Sequence, residues 1–514
     1  MLNTGGVRLH ILKMLKLICI KIGFVSLLAF NPAGTILAAE QNYKDVKLGT
    51  YRIEVTDKAL SRFDGRNLLG THSLWWGYQK DLISPITNES YPSVISFLAK
   101  TKSVIRFGGG VNEIPWKACA DPLAARVEYK AVEWAGPMKC QFGINEYLSV
   151  IQQTGGKEAW LVANIAGIDY QLYSSTELVK SVGEAAVDME LHADNLMRYW
   201  ELGNELERGR YNWSPEMIAQ RASNAGKEII SKDPDAHLIL PLIEFNAPNQ
   251  PPRKIFNDRL LRAMKQPVDG VALHLYYDGA PGGPSIPTQL KTIVESAETY
   301  RAITGRAGEV WVTEHGRWPE GDGRNKEWKS NWYKTNDMDG VLGTADFLIA
   351  ISQVADVAGA MLHGLRAGPW NVFEKTSADP CLSGVGLLLT LFADTSHDTR
   401  LQTHTSSLNK SGYKGGYDIR ATAFSSEDKQ KFSLWIVNRS PYSVSTKLSL
   451  SSRNSIAKFF KGNSLLCPIA NGKCSGNQFR LLSVNNSQIK NDKNGLSVIL
   501  PARSVTALEF EYLK

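Results

Sequence analysis

Between about residues 65 and 370, short apolar runs alternate with stretches of helical period. The runs that read as strands are 67–74, 104–107, 159–165, 199–202, 237–242, 270–276, 310–313 and 359–363. Pro215–Lys232 reads as a helix, with Ser214 in the N-cap position and Pro215 at the first helical position. A second helical stretch covers 343–357. Eight strands interleaved with helices predict an α/β chain folded as a closed (β/α)8 (TIM) barrel. A doubly wound open sheet is the alternative, but it lacks its Gly-rich strand-to-helix loop. Gly108-Gly109-Gly110 follows a strand, yet Pro115 disfavours an immediate helix.

Near residue 400 the pattern changes. Residues 405–514 are rich in Ser, Asn, Lys and Gly, with β-like runs at 432–437, 444–450, 497–500 and 507–512. Turn signals such as Asn438-Arg439-Ser440-Pro441 and Asn471-Gly472 separate them. This predicts a C-terminal antiparallel β-sandwich. A strand-like run at 47–55 would add a strand to it. The expected organisation is a signal peptide at 1–39, an N-terminal segment at 40–64, a barrel at 65–400 and the sandwich at 401–514. No internal repeat of 20 to 50 residues is present.

Composition narrows the class. With 43% hydrophobic and 21% charged residues, the chain is neither disordered nor collagen-like. The 13 Trp offer flat apolar surface of the kind sugar rings stack on, although core filling accounts for most of them. Residues 1–39 carry Arg8, Lys13, Lys16 and Lys21, no acidic residue, and an apolar run at 22–30 before Leu37-Ala38-Ala39. That order is a secretory signal and predicts a secreted or periplasmic protein. Without those four cations the net charge falls from +7 to +3, so the basic balance does not argue for nucleic acid. No other stretch is long and apolar enough to span a bilayer. Of the remaining cysteines, Cys467 and Cys474 flank a turn-like loop, Cys119 and Cys140 would close another, and Cys381 is left over. No cysteine or histidine spacing reads as a metal site, and no cofactor is expected.

Chemistry gathers where barrel strands end, at the C-terminal face. Two strand ends carry a carboxylate: Tyr199-Trp200-Glu201-Leu202-Gly203-Asn204-Glu205 and Trp311-Val312-Thr313-Glu314-His315-Gly316. They close the fourth and seventh strands. Two carboxylates facing one cleft suit glycoside hydrolysis, with retention at a separation of about 5 Å and inversion at a wider gap.

Trp200-Glu201-Leu202-Gly203-Asn204-Glu205 and Val312-Thr313-Glu314 resemble the motifs of clan A retaining glycoside hydrolases. Ile105-Arg106-Phe107-Gly108-Gly109 resembles the strand-two run of families 51 (α-L-arabinofuranosidases) and 79, and His274-Leu275-Tyr276-Tyr277 the His-x-Tyr end of strand six. Ala345-Asp346-Phe347-Leu348 resembles the helix after strand seven in family 51, while the trailing sandwich fits families 51, 39, 30 and 79 alike. The resemblance implies Glu205 as acid/base, Glu314 as nucleophile and Asn204 as a partner of the sugar 2-hydroxyl. It also implies Arg106 and Tyr276 as supports of Glu314. After Glu314 the chain reads His315-Gly316 where family 51 has Trp-Asn, which is nearer to family 39. The polar insert at 317–339 carries Trp318, Trp328 and Trp332.

Other residues are site candidates by position. His274 would bond a sugar hydroxyl or orient Glu205. Asn164 ends the third strand, and Trp75, Trp76 and Trp370 follow the first and eighth strands as stacking surfaces. Glu113 lies beyond the triple glycine, and His315 is a pH-sensitive neighbour of Glu314 unless strand alternation turns it away. The expected function is a secreted retaining hydrolase of a polysaccharide or oligosaccharide, resembling an α-L-arabinofuranosidase. The alternatives are an endo-acting exopolysaccharide hydrolase, a transglycosylase and a non-catalytic carbohydrate-binding barrel. Sugar, anomer and oligomeric state stay open.

Overall fold

In the computed structural model the described residues are 47–512, apart from 62, 74–83, 85–88, 103, 109–116, 130–136, 167–169, 192–195, 209–210, 212, 247–249, 279–283, 321–325, 375–379, 408–417, 451–456, 470–472, 486 and 493–494. The segment read as a signal therefore lies outside the described residues. Eight parallel strands close into a barrel: Gly70–Ser73, Ile105–Phe107, Glu158–Val162, Met197–Glu201, His237–Pro241, Gly270–Tyr277, Glu309–Arg317 and Val357–Leu362. The ring closes where Met361 and Leu362 pair with Gly70 and Thr71. The eight apolar runs of the sequence are these eight strands, shifted by a few residues at their ends. The open sheet is thereby excluded.

Side chains plug the barrel. Trp160, Tyr199, Ile239, Ala272, Trp311, Ala358 and Met361 meet inside it. The Trp160 ring lies 4.8 Å from Tyr199 and 4.7 Å from Trp311. This aromatic plug fills the barrel beneath the C-terminal rim. Outside, helices cover the strands through one continuous apolar layer. Pro215–Lys232 begins as expected, with Ser214 Oγ accepting from the Met217 N–H at 3.2 Å.

The helix expected at 343–357 instead spans Met338–Ser352. Asp337 caps it by accepting from the N–H groups of Asp339 and Gly340, at 3.0 and 3.3 Å. Val357 already belongs to the eighth strand. This helix is buried all round, so its apolar pattern shows no period and marks no start.

The C-terminal part is a ten-stranded sheet that also contains Lys47–Ala59. That strand pairs antiparallel with Thr399–Ser406, matching Arg52 with Ser406 and Val55 with Thr403. Ile419–Ser425, Lys431–Asn438 and Ser504–Tyr512 form its antiparallel centre. Alternate residues divide the work. Ile53, Phe432, Leu434, Ile436, Leu508 and Phe510 make a core of their own. Trp435, Val437, Val505 and Ala507 join the layer that covers the barrel. Trp435 stacks on Phe392 at 4.0 Å. Asp346 receives Arg420 at 2.5 Å and the fully buried Arg439 at 2.6 Å. Cys119–Cys140 and Cys467–Cys474 are disulfides, and Cys381 forms neither bridge. Among the described residues no helix is long and apolar enough to cross a membrane.

Candidate active site

The fourth strand ends at Glu201 and the chain turns at once. Gly203 has φ +103°, and an added Cβ would lie 2.5 Å from Leu206 Cδ1 and 2.9 Å from Ile165 Cγ1. Only glycine fits this corner. Glu205 follows with φ +50°, a left-handed conformation that non-glycine residues rarely adopt and that active sites often hold. The turn lifts Asn204 and Glu205 onto the rim while Glu201 stays inside the barrel.

Arg106, on the second strand, joins these groups. Its guanidinium is fully buried. It donates twice to Glu201, at 2.6 and 2.9 Å, once to Glu314 Oε1 at 2.8 Å, and once to Asn204 Oδ1 at 2.8 Å. Glu201 also accepts from Trp160 Nε1 at 3.0 Å and Thr313 Oγ1 at 3.2 Å. Burial opposes its ionisation, but Arg106, with help from His274, holds its carboxyl down at about 2.

Glu314 lies in the seventh strand. A register irregularity between Val312 and Glu314 turns both Thr313 and Glu314 inward, the one to Glu201 and the other to Arg106. Tyr276 OH donates to Glu314 Oε2 at 2.9 Å, and His363 Nδ1 lies 3.0 Å from the same oxygen. Burial works against this carboxylate too. His274 and His363 outweigh it and hold the group well below the usual range.

Glu205 is partly buried. It pairs with Arg208 and accepts from His274 Nδ1 at 3.2 Å. Against burial, Arg208 and His274 lower its pKa, while the charge of Glu314 raises it. His274 lies among Glu205, Glu314 at 3.6 Å and Glu201 at 3.7 Å. Burial favours its neutral form, yet those carboxylates push it up to about 10, so it is an imidazolium at neutral pH. Single oxygens of Glu205 and Glu314, with a nitrogen of His274, all lie within 4.8 Å of one another.

The structure thus brings together Glu205, Glu314, Asn204, Arg106, His274 and Tyr276. Asn164 is buried beyond the third strand and accepts the Ala166 N–H at 3.2 Å. Trp370 packs 4.7 Å from Tyr276 and 5.0 Å from His363, with Nε1 bonded to the Arg317 carbonyl at 2.8 Å. It is only 7% exposed, so it backs the site more than it lines it. Trp75, Trp76 and Glu113 lie outside the described residues. His315 faces away from Glu314: it is fully buried and contacts Tyr277 OH at 3.2 Å, as strand alternation requires. Burial, aided by His363, pushes it down to about 3, so it is no neutral-pH sensor.

Sequence reasoning passed over His72, His363, Arg208, Glu207 and Glu244. His72 lies in the first strand and His363 directly follows the eighth, the same strand-end signal that singled out Glu205 and Glu314. Glu207 is buried, and its Oε1 has no hydrogen bond among the described residues. Burial and the charge of Glu205 push it up to about 7. Glu244 is raised well above its usual range by burial and by Glu207. From Tyr276, aromatic rings pack in series through Trp370, Trp318, Trp328 and Trp332, spaced 4.7, 5.4, 5.9 and 5.1 Å.

No protein-family model matches the chain, and no curated protein matches it in sequence. Solved structures do match its fold. The α-L-arabinofuranosidase of family 51 from Thermotoga petrophila RKU-1 superposes with a TM-score of 0.74 at 15% identity, over 90% of this chain and 100% of that one. The family 51 α-L-arabinofuranosidase from Bifidobacterium longum gives 0.74 at 14% identity, over 90% and 99%. The family 30 subfamily 8 xylanase from Clostridium acetobutylicum gives 0.54 at 13% identity, over 90% and 99%. Likeness at this identity is one of fold.

Proposed function

We propose that this protein is a retaining glycoside hydrolase acting by double displacement. The observation that carries the reading is the pair of carboxylates, Glu205 and Glu314, with oxygens within 4.8 Å at the C-terminal rim of a closed barrel. Retaining enzymes hold their two carboxyls about 5–5.5 Å apart, and inverting ones hold them wider. The glycoside hydrolases that share the fold support the same class.

Glu314, ionised and fixed by Arg106 and Tyr276, attacks the anomeric carbon. As that bond forms, the bond to the leaving oxygen breaks and Glu205 gives this oxygen a proton. The covalent ester removes the negative charge of Glu314. That charge raises the pKa of Glu205, so its loss lowers it and Glu205 becomes the base. Glu205 then takes a proton from water, whose oxygen attacks the anomeric carbon and frees Glu314. Arg208 and His274 lower the pKa of Glu205 in the resting site, and a leaving group that displaces Arg208, whose side chain is 47% exposed, raises it toward that of an acid. Asn204 Oδ1 is engaged by Arg106, so its NH2 group meets the sugar 2-hydroxyl as a donor.

The substrate class is an oligosaccharide or polysaccharide, with an α-L-arabinofuranosidase-like exo-enzyme as the first reading. The partly exposed Trp318, Trp328 and Trp332 favour a second, an endo-acting hydrolase that holds more than one sugar of a chain. Export to the cell exterior or periplasm fits the basic-apolar N-terminal segment and the two disulfides. The test is release of sugar from a panel of aryl glycosides and polysaccharides, with Glu314→Gln and Glu205→Gln as controls. Glu314→Gln should abolish turnover. Glu205→Gln should cost orders of magnitude on unactivated substrates and less on aryl glycosides, with azide restoring turnover. Full activity in either variant would overturn the assignment.

A further inference from the structure

We propose that His72, His363 and Glu314 form a site for a first-row transition-metal ion such as Zn2+, and that the ion switches the hydrolase off. The second half rests on the function proposed above; the first does not.

His72 Nε2 lies 2.7 Å from the Gly108 carbonyl. A carbonyl only accepts, so the ring proton is on Nε2 and Nδ1 presents a lone pair. Arg106 Nη1 is a donor 3.2 Å from the same Nε2, the longer of the two contacts, so the carbonyl at 2.7 Å decides the tautomer. The lone pair at Nδ1 faces His363 Nδ1 at 3.3 Å and Glu314 Oε1 at 3.4 Å. His363 Nδ1 is 3.0 Å from Glu314 Oε2. One N–H on His363 satisfies either His72 or Glu314, not both, and the His72 lone pair still faces Glu314 Oε1. A cation among the two nitrogens and the carboxylate resolves this.

The spacing suits one. Metal–ligand bonds of about 2.0–2.2 Å in a tetrahedral zinc site place neighbouring ligand atoms about 3.3–3.6 Å apart; both contacts of His72 Nδ1 fall in that range, and the His363–Glu314 contact at 3.0 Å is shorter. Two imidazoles and a carboxylate select Zn2+, Cu2+, Ni2+ or Fe2+ over Mg2+ and Ca2+. The outer contacts are those of a metal site as well: His72 is held by a backbone carbonyl, and Glu314 by Arg106 and Tyr276. His363 is partly exposed, which gives the ion an entry from the cleft. Arg106 shares Glu314 Oε1 and opposes a second cation there, so binding is reversible rather than structural. The other trio, Glu205, His274 and Glu314, is a poorer host, because both ring nitrogens of His274 already face carboxylates. A bound ion occupies the carboxylate that must attack, so metal binding and glycosyl transfer exclude each other.

The experiment is calorimetric titration of the chelator-treated full chain with Zn2+ alone, on wild type, His363→Asn and Glu205→Gln, with circular dichroism to confirm folding. One ion per chain should bind the wild type. His363→Asn should weaken binding by at least about tenfold, and Glu205→Gln should leave it unchanged. X-ray absorption of the complex should report two imidazole nitrogens. No saturable binding, binding indifferent to His363→Asn, or binding lost only in Glu205→Gln would each overturn the site. These readouts stand even for a chain that cleaves no glycoside. Where it does cleave one, Zn2+ should inhibit and a chelator should restore activity. Inhibition as strong in His363→Asn as in wild type would overturn the switch.

Discussion

Arg208→Met tests how the acid is held. Arg208 pairs with Glu205 at the mouth of the site, with side chains 47% and 18% exposed. A charge-assisted hydrogen bond contributes about 1.5–3 kcal/mol when buried, and an exposed ion pair only about 0.2–1 kcal/mol. A half-exposed guanidinium on a mostly buried carboxylate falls between, at about 1 kcal/mol. Removing the cation raises the proton affinity of Glu205, so the acid stays protonated to higher pH. On an unactivated glycoside the basic limb of kcat/KM should move up in pH. Rates above the wild-type limb should rise about fivefold, the equivalent of about 1 kcal/mol. Arg208→Lys keeps the charge and should keep the wild-type limb. Glu207 titrates close by, so the profile should be repeated in a Glu207→Gln background. A limb that stays in place, or moves down, in Arg208→Met refutes the idea that this ion pair sets the acid.

Three further outcomes follow from the same geometry. His274→Asn removes the imidazolium that most lowers Glu314, so the acid limb of kcat/KM should move to higher pH; an unmoved limb in a folded variant would count against it. Glu201 has a folded value of about 2 against 4.5 when free, which amounts to about 3 kcal/mol. Because the folded value is the lower one, that stabilisation is full above about pH 4.5 and fades as the pH falls toward 2. Thermal denaturation between pH 6 and 2 should show the loss, and a flat Tm would argue against the Arg106–Glu201 pair. Gly203→Ala should cost about 1–3 kcal/mol through its φ alone, read by urea denaturation, and should depress kcat by displacing Glu205.

The barrel was legible because each strand is a short apolar run between helical patterns, and closure then follows from the count. Glu205 and Glu314 were legible because each stands next to such a run, behind Gly203-Asn204 and Val312-Thr313. Arg106 was visible, but its first partner was not. Its fork grips Glu201 twice and Glu314 once, and nothing in a linear sequence assigns a guanidinium between two carboxylates 95 and 208 residues away. The inward turn of Thr313 comes from a strand irregularity, which strict alternation does not foresee. His72 and His363 are joined only by barrel closure, since the first and eighth strands meet last. The start of Met338–Ser352 was missed because a helix buried on every side has no polar face to betray its period.

The pairing of Lys47–Ala59 with Thr399–Ser406 bears on how the protein is made. Tyr51 reaches Asp418 across 367 residues, at 3.1 Å. At about 5–20 residues per second, a ribosome takes roughly 20–70 s to deliver that partner. Until then an early-born strand, with Tyr51, Ile53 and Val55 destined for the core, has nothing to pair with. A nascent chain of this kind is an open template for other strands, and its yield in the cell should depend on a chaperone that keeps that edge covered until the last strands emerge.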